Sequence, residues 1–274
     1  MERLFEKTLG SVQKPMPPAR ITRANILGVG VSAINMEQAL ETIDAWIKKR
    51  EQRYVCVTGV HGIMESQRDA TLKQIHNQAG LVTPDGMPLV WLSQLKGCSW
   101  VERVYGPDLM LALCEQSLIK GYHHYFYGGG EGVAKKLAAR LKERFPGLQI
   151  AGGSSPPFRA LTREEDEEAI QLINKAQPDI VWIGLSTPKQ EYWMYEHCGR
   201  VHAPVMIGVG AAFDFHAGIK KQAPRWMQRS GLEWSFRLLN EPRRLWRRYL
   251  VNNPLFLWML LLEALNKKSI SQEM

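Results

Sequence analysis

Short apolar runs alternate with amphipathic segments from about residue 26 to residue 210. The apolar runs are rich in β-branched and aromatic residues, and they predict strands at residues 26–31, 54–58, 81–83, 124–128, 148–152, 179–184 and 205–210. Between them, the helical spacing of apolar positions predicts helices at residues 35–50, 108–119, 131–145, 163–175 and 188–197. Asn35, followed three residues later by Gln38, predicts a capping box on the first helix. Several strands are almost wholly apolar, so the pattern predicts an α/β fold with a mostly parallel sheet flanked by helices.

Polar residues and glycines follow directly after most of the predicted strands. In an open parallel sheet the ligand crevice lies beyond the carboxyl ends of the strands, so these residues are expected to lie close together. The candidates at these strand ends are Thr58, Asp85, Gly128, Gly129, Gly130, Ser186, Lys189, Gln190, Gly210 and Asp214. The sequence therefore predicts one composite site at one edge of the sheet.

The segment HYFYGGGEGVAKKLAARL, at 124–141, predicts a strand, a glycine turn and an amphipathic helix. This arrangement presents free backbone N–H groups and the positive end of a helix to a phosphate. The dinucleotide-binding fingerprint would need a glycine where Val133 stands, so a dehydrogenase is the weaker interpretation. The alternative is a tight turn in which glycine only supplies unusual φ angles.

Asp85 stands between the apolar run that ends at Thr83 and an apolar helix that begins at Met87 or Pro88. Taken alone, this position favours a helix cap or an Asx turn. Its place at a strand end, among other polar candidates, favours a general base that accepts a hydroxyl proton. Both interpretations remain open from the sequence.

The segment STPKQEYW, at 186–193, predicts a helix that begins near Pro188, with Thr187 as its cap. Lys189 is unfavourable at a helix start because of the helix dipole, but it is well placed to bind a diphosphate. Capping explains Thr187 and Pro188 and does not explain Lys189 or Gln190.

The chain has 274 residues, 45% of them hydrophobic, which is enough for one large domain with an appendage. Its four cysteines are far apart, which argues against a disulfide framework and a zinc site and favours a reducing cytoplasm. No D-x-D pair occurs and the histidines lack ligand spacing, so we expect no catalytic metal. The first residues do not resemble a secretory signal, and the longest apolar run, at 255–262, is too short to span a bilayer.

The net charge of +8 is concentrated near the C-terminus, where residues 220–250 contain nine Lys or Arg and two Glu. A helix predicted from Pro242 places arginines on one face and large apolar residues on the other. The arginines are Arg243, Arg244, Arg247 and Arg248, and the apolar residues are Leu245, Trp246, Tyr249 and Leu250. This composition favours a helix lying in an anionic headgroup layer. A surface helix packed on the sheet is the main alternative, and a nucleic-acid contact is the weakest.

These observations divide the chain into an N-terminal arm at residues 1–24, a catalytic domain at 25–219 and a basic helical appendage at 220–274. The sequence leaves self-association open.

Five segments resemble one known family when taken together. They are TPDGMPLVW (83–91), RVYGPDL (103–109), FYGGGEGVAKKL (126–137), GLSTPKQE (184–191) and the long block at 208–244. In this order they resemble the WecG/TagA/CpsF family of bacterial glycosyltransferases. The resemblance implies a Rossmann-like core and an inverting, metal-independent enzyme without a cofactor. It also implies transfer from a UDP-sugar to a polyprenyl-diphosphate-linked acceptor by an enzyme bound peripherally to the cytoplasmic face of the membrane.

The resemblance also implies roles for individual residues. Asp85 matches the family's proposed base, with Thr58 and Gln190 beside it. Arg103 and Asp108 match positions at the substrate site. Arg225, Arg229 and Arg237 fall in the appendage that the family associates with membrane docking and diphosphate contact. We expect the four arginines that follow Pro242 to take the same role. Two segments depart from the family, Thr58 to His61 and Tyr105 to Pro107, and both border the expected sugar pocket.

Two other functions remain open at this level. One is a different nucleotide-dependent enzyme, a dehydrogenase or an epimerase. The other is a membrane-docked nucleotide-binding protein without catalytic activity.

Overall fold

The computed structural model describes the backbone of residues 21–272 and the side chains of residues 21–266. Most of the predicted N-terminal arm, residues 1–20, therefore lies outside the described residues. The strands are β1 (Arg23–Ile26), β2 (Val29–Ser32), β3 (Arg53–Thr58), β4 (Leu81–Pro84), β5 (His123–Gly128), β6 (Gln149–Ser154), β7 (Ile180–Gly184) and β8 (Val205–Gly208). Strands β3 to β8 form one parallel sheet in the order β4-β3-β8-β7-β5-β6, so the predicted α/β fold is confirmed.

Helices cover both faces of this sheet. They are α1 (Met36–Lys49), α2 (Val60–Arg68), α3 (Ala70–Gln78), α4 (Met87–Leu95), α5 (Gly106–Lys120), α6 (Val133–Arg144), α7 (Arg163–Ala176), α8 (Lys189–His197), α9 (Ala212–His216), α10 (Arg225–Arg229), α11 (Glu233–Asn240), α12 (Pro242–Trp246) and α13 (Asn252–Gln272). The capping box of Asn35 and Gln38 on α1 is confirmed. The helices α2 and α3 were not predicted.

Successive side chains of each strand enter two different cores, because a strand has a period of two. Phe126 and Trp182 pack with α1, α5, α6 and α9 on one face. Their neighbours Tyr127 and Ile183 pack with α2, α3, α7 and α8 on the other. The near-continuous apolar sequence of the strands follows from burial on both faces.

The prediction of one strand at 26–31 is wrong. The chain forms an antiparallel hairpin of β1 and β2, a two-stranded sheet separate from the main sheet. Leu27 and Gly28 both have positive φ, at 51° and 83°, and form its two-residue turn. The side chain of Asn25 accepts a hydrogen bond from the Gly28 N–H at 2.8 Å. The turn chemistry overrides the apolar pattern here.

The neighbouring strands β5 and β7 connect to the sheet in opposite directions. From β5 it continues through α6 to β6 on one side, and from β7 it continues through α8 to β8 on the other. The helices α6 and α8 lie on opposite faces. The carboxyl ends of β5 and β7 therefore leave a crevice, the usual ligand position in doubly wound sheets.

The C-terminal appendage consists of α10 to α13, with a π-helical turn at Arg247–Val251 between α12 and α13. Its buried side chains recur at helical spacing, at Leu245, Tyr249, Asn252 and Phe256. Phe256 joins the core on the α2 face. None of the described helices combines the length and apolar content needed to cross a membrane.

Candidate active site

A cavity of about 670 Å³ lies beyond the carboxyl ends of β5, β7 and β8. Its walls come from the loops that follow five strands of the sheet and from the appendage, which closes one side. The structure brings together most of the candidates in this cavity. They are Asp85, Gly129, Gly130, Ser186, Lys189, Gln190, Gly210, Asp214, Arg237, Arg244 and Arg248.

Eight candidates do not line the cavity. They are Thr58, Arg103, Asp108, Gly128, Arg225, Arg229, Arg243 and Arg247. Asp108 and Arg225 form an ion pair at 2.7 Å that joins the core to the appendage. Arg229, Arg243 and Arg247 are exposed on the appendage. These residues are near the site motifs in the sequence, but their side chains do not line the cavity.

Thr58 is buried under the strand end. Its hydroxyl lies 3.0 Å from His76 Nε2, and His76 Nδ1 lies 3.2 Å from the Ser66 hydroxyl. Its backbone carbonyl accepts from the Asp85 N–H at 3.0 Å. Thr58 therefore supports the backbone of Asp85, whereas its side chain faces α2 and α3.

Asp85 is not the cap of α4. Gly86 occupies the cap position, and no side chain caps that helix. Instead, Asp85 Oδ1 accepts from the Gly106 N–H at 3.0 Å, and Arg103 Nε donates to the Asp85 backbone carbonyl. Among the described residues, no donor reaches Oδ2. The carboxylate is thus held by one oxygen and lines the cavity with its side chain.

The environment of Asp85 raises the pKa of its carboxyl above the ordinary value. Burial is the largest cause and the negative charge of Glu233 adds to it, while Arg103, the Gly106 amide and Arg237 act in the opposite direction. A raised pKa brings a carboxylate closer to the affinity for protons that a general base needs. Burial and charge together therefore suit Asp85 to proton transfer.

The glycine turn after β5 contains tight backbone contacts. A Cβ on Gly128 would lie 2.6 Å from the backbone of Gly184, and one on Gly129 would lie 2.8 Å from Val133. The Gly129 N–H donates to the Gly184 carbonyl at 3.0 Å, so this amide is not free for a phosphate. Gly130 has more space and borders the cavity. The turn offers fewer amides than the sequence predicted.

The loop after β7 carries a buried polar pair. Thr187 does not cap α8, because its hydroxyl donates to Glu191 Oε1 at 2.9 Å. Gln190 Nε2 donates to the same oxygen at 3.1 Å. Gln190 is buried and lines the cavity, and its Oε1 has no partner among the described residues. This oxygen is therefore a buried acceptor that is left unsatisfied beside the cavity.

Positive charge dominates the cavity wall. Lys189, Arg237 and Arg248 line it without an ion pair within the described part of the chain. Lys220 is paired with Asp214 at 2.8 Å, and Arg244 with Glu241 at 2.7 Å. Such a wall suits an anionic ligand with more than one charge.

The four arginines that follow Pro242 do not all contribute to the cavity. Arg244 and Arg248 line the cavity, whereas Arg243 and Arg247 do not. Arg248 is partly buried, and the other three are exposed. The two arginines of each pair are four residues apart, so they lie on the same side of the helix. The buried Leu245 and Tyr249 lie on a different side of the helix from these arginines.

His61 lies in one of the segments that depart from the family. Its Nδ1 is 3.4 Å from Asn252 Nδ2 on the appendage. Burial, together with the charges of Arg248 and Arg68, lowers the pKa of His61 to about 3. The ring is therefore neutral at neutral pH, and it does not line the cavity.

Sequence reasoning missed the loop after β6. Residues 156–161 line the cavity mouth, and the Phe158 side chain there is 86% exposed. Tyr127, Tyr192 and Trp193 also line the cavity. An exposed aromatic after Pro156 and Pro157 was the available signal. The mouth can therefore stack on a flat ligand group.

A model of the Glycosyl transferase WecG/TagA/CpsF family matches residues 24–270. The chain is 32% identical over 186 residues to a protein of Bacillus spizizenii (68% of this chain, 70% of the relative). It is 30% identical over 202 residues to one of Bacillus subtilis strain 168 (74% and 76%). It is 26% identical over 242 residues to one of Staphylococcus aureus strain MW2 (87% and 92%). All three relatives are named N-acetylglucosaminyldiphosphoundecaprenol N-acetyl-beta-D-mannosaminyltransferase.

Proposed function

The chain belongs to the WecG/TagA/CpsF family of glycosyl transferases, and from this premise we propose that it transfers a sugar from a UDP-sugar to a polyprenyl-diphosphate-linked saccharide. The names of the relatives favour an N-acetylhexosamine as the transferred sugar and a diphosphoundecaprenol-linked acceptor. Membership in a glycosyltransferase family leaves the dehydrogenase and epimerase alternatives without support.

One observation carries the proposal. Asp85, whose carboxyl has a raised pKa, lines the same cavity as Lys189, Arg237 and Arg248. Among the described residues, one oxygen of Asp85 has no donor and these three cations form no ion pair. A transferase for a diphosphate-activated sugar needs both parts, a base for the acceptor hydroxyl and positive charge for the leaving group.

The chemistry is a single displacement. Asp85 Oδ2 takes the proton from the acceptor hydroxyl as that oxygen forms a bond to the anomeric carbon of the donor. The bond from this carbon to the diphosphate breaks on the opposite face, the electron pair leaves with UDP, and the configuration inverts. Lys189 lies at the start of α8, where its ammonium can neutralise the developing charge.

A metal ion has no part in this proposal. Among the described residues, no group of three or more His, Cys, Asp and Glu side chains is arranged to hold a metal ion. The cationic side chains of the cavity supply the positive charge that such an ion would provide.

We place the enzyme at the inner face of the cytoplasmic membrane, because its acceptor is linked to a lipid. The appendage exposes Trp246, Leu250, Leu257 and Trp258 beside the exposed Arg243 and Arg247. Aromatic and aliphatic side chains next to arginines suit an anionic headgroup layer.

A panel of UDP-sugars, assayed with a short-chain polyprenyl diphosphate that carries N-acetylglucosamine, tests the proposal by mass spectrometry of the product. We expect transfer from a UDP-N-acetylhexosamine, full activity in EDTA, and an inverted anomeric centre by NMR. UDP binding without transfer to any acceptor would instead support a nucleotide-binding protein without activity. A retained configuration would contradict the single displacement.

A further inference from the structure

Glu233, the first residue of α11, reaches from the appendage into the core with both of its carboxylate oxygens. Its Oε2 accepts from Arg103 Nη2 at 2.5 Å, and its Oε1 accepts from the Tyr105 hydroxyl at 3.0 Å. The Arg103 guanidinium also lies over the Tyr105 ring, 4.0 Å from its centroid. One carboxylate therefore fixes two side chains of the segment before α5.

The two residues that Glu233 holds are next to the atoms that hold Asp85. Arg103 Nε donates to the backbone carbonyl of Asp85. Tyr105 is the cap residue of α5, and the following Gly106 N–H donates to Asp85 Oδ1 at 3.0 Å. Both contacts that orient Asp85 from this side thus lead back to Glu233 within one residue.

Glu233 does not line the cavity, and both of its oxygens are already engaged. It is therefore not a substrate ligand or a second base. We propose that Glu233 is a positioning residue, which uses Arg103 and Tyr105 to orient Asp85 and thereby makes the seating of the appendage a condition for catalysis. The proposal rests on the proposed function for the role of Asp85 as base.

Glu233 also belongs to the charge environment of Asp85. The groups whose charge or titration bears on Asp85 are Arg103, Tyr105, Glu233, Arg237 and Arg248. Among these, the charge of Glu233 raises the pKa of Asp85, whereas those of Arg103 and Arg237 lower it. Removing the charge of Glu233 should therefore lower the pKa of Asp85, and removing that of Arg103 should raise it.

The test is Glu233→Gln, which keeps the shape and one acceptor but loses the charge and the second acceptor. We expect kcat to fall about 10- to 100-fold, because small displacements of a reacting group are costly, with little change in the KM of the donor. The acid limb of the kcat profile should move to lower pH. Arg103→Gln should move it to higher pH.

A readout without turnover separates this proposal from the proposed function. The chemical shift of the Gly106 amide should follow the titration of Asp85, because this N–H donates to Oδ1. The midpoint of this titration should move to lower pH in Glu233→Gln. It should not change in Glu263→Gln, a matched appendage variant that loses a different ion pair, the one between Lys96 and Glu263. Tyr105→Phe, which removes one arm alone, should have an intermediate effect on kcat.

An unchanged Gly106 midpoint and an unchanged kcat in Glu233→Gln would overturn the inference. A kcat loss with an unmoved midpoint and an equal loss in Glu263→Gln would also overturn it, because that result marks a general role in appendage packing. If the wild-type protein transfers no sugar, the proposed function fails, while the shift in the midpoint still reports whether Glu233 acts on Asp85.

Discussion

The sheet and the appendage both contribute residues that line the cavity, but these residues are held in place by different contacts. The sheet fixes its contribution through the backbone, as at Gly128 and Gly184, where two strands touch. The appendage contributes side chains from helices with few buried residues, and α11 has none. Its attachment combines buried side chains, such as Leu245 and Phe256, with ion pairs such as Asp108 with Arg225 and Arg103 with Glu233.

The two parts of the cavity should therefore respond differently to salt. Backbone contacts in a sheet are insensitive to salt, whereas partly exposed ion pairs weaken as salt rises. The backbone of the sheet half is therefore set by the fold. The cationic side chains of the appendage, and the orientation of Asp85 through Glu233, depend on whether the appendage is seated.

Asp85→Asn should have the largest effect. Asparagine keeps an acceptor for the Gly106 N–H but cannot take a proton. Loss of a general base costs about 100- to 10,000-fold in kcat. Turnover should fall by that factor while the affinity for UDP, measured by calorimetry, stays unchanged. Turnover close to that of the wild type would remove Asp85 from its proposed role.

The double variant Arg244→Gln and Arg248→Gln should come next. Each lost charge-assisted hydrogen bond to a diphosphate costs about 1.5–3 kcal/mol. We expect a rise of at least tenfold in the KM of a diphosphate substrate. The matched control is Arg243→Gln with Arg247→Gln, which alters the exposed pair of the same helical segment. Equal KM changes in the two double variants would contradict the division between them.

Gly128→Ala should destabilise the sheet half alone. The residue has a φ of 128°, and a new Cβ would lie 2.6 Å from Gly184. Strained backbone costs about 1–3 kcal/mol. Gly121→Ala is the control, because its φ of 75° is also positive but its Cβ would meet open space. Urea unfolding should show a larger loss for Gly128→Ala, and equal losses would show that the strand contact is unimportant.

The exposed arginine pair should matter for membranes. A basic residue near an anionic surface contributes about 1 kcal/mol, so Arg243→Gln with Arg247→Gln should weaken vesicle binding by roughly tenfold or more. Flotation with phosphatidylglycerol vesicles at low and high salt measures this effect. Binding that does not respond to the double variant or to salt would favour an appendage that only packs on the core.

The smallest expected effect is on stability. Because the folded state raises the pKa of Asp85, the folded protein holds this proton more tightly than the unfolded chain. Its stabilising contribution is complete below the ordinary pKa of aspartate and is lost as pH rises through the folded-state pKa. As pH rises through this window, the free energy of unfolding of the wild type should therefore fall relative to that of Asp85→Asn. A difference that is constant with pH would contradict the shift.

Local sequence signals predicted an element well where its structure depends only on neighbouring residues. The capping box at Asn35 and the strand at β7 needed only neighbouring residues to be recognised. The hairpin of β1 and β2 was missed because a continuous apolar run concealed a turn with positive φ at Leu27 and Gly28. Apolar periodicity records burial and carries little information about chain direction.

The site shows the same limit. Strand-end position was enough to bring Asp85, Lys189 and Gln190 into one prediction. It was not enough to separate Arg244 from Arg243, or to show that Thr58 faces His76. Such distinctions depend on the direction of a side chain relative to another element.

The α/β class, the parallel sheet and the family follow from the amino-acid sequence alone, because periodicity and motifs are properties of neighbouring residues. The three-dimensional contacts were needed to show that Asp85 faces a cavity rather than capping a helix. They also show that Glu233, 148 positions away, reaches the residues that hold Asp85. Burial, charge environment and pKa arise from contacts between distant segments, and no local pattern encodes them.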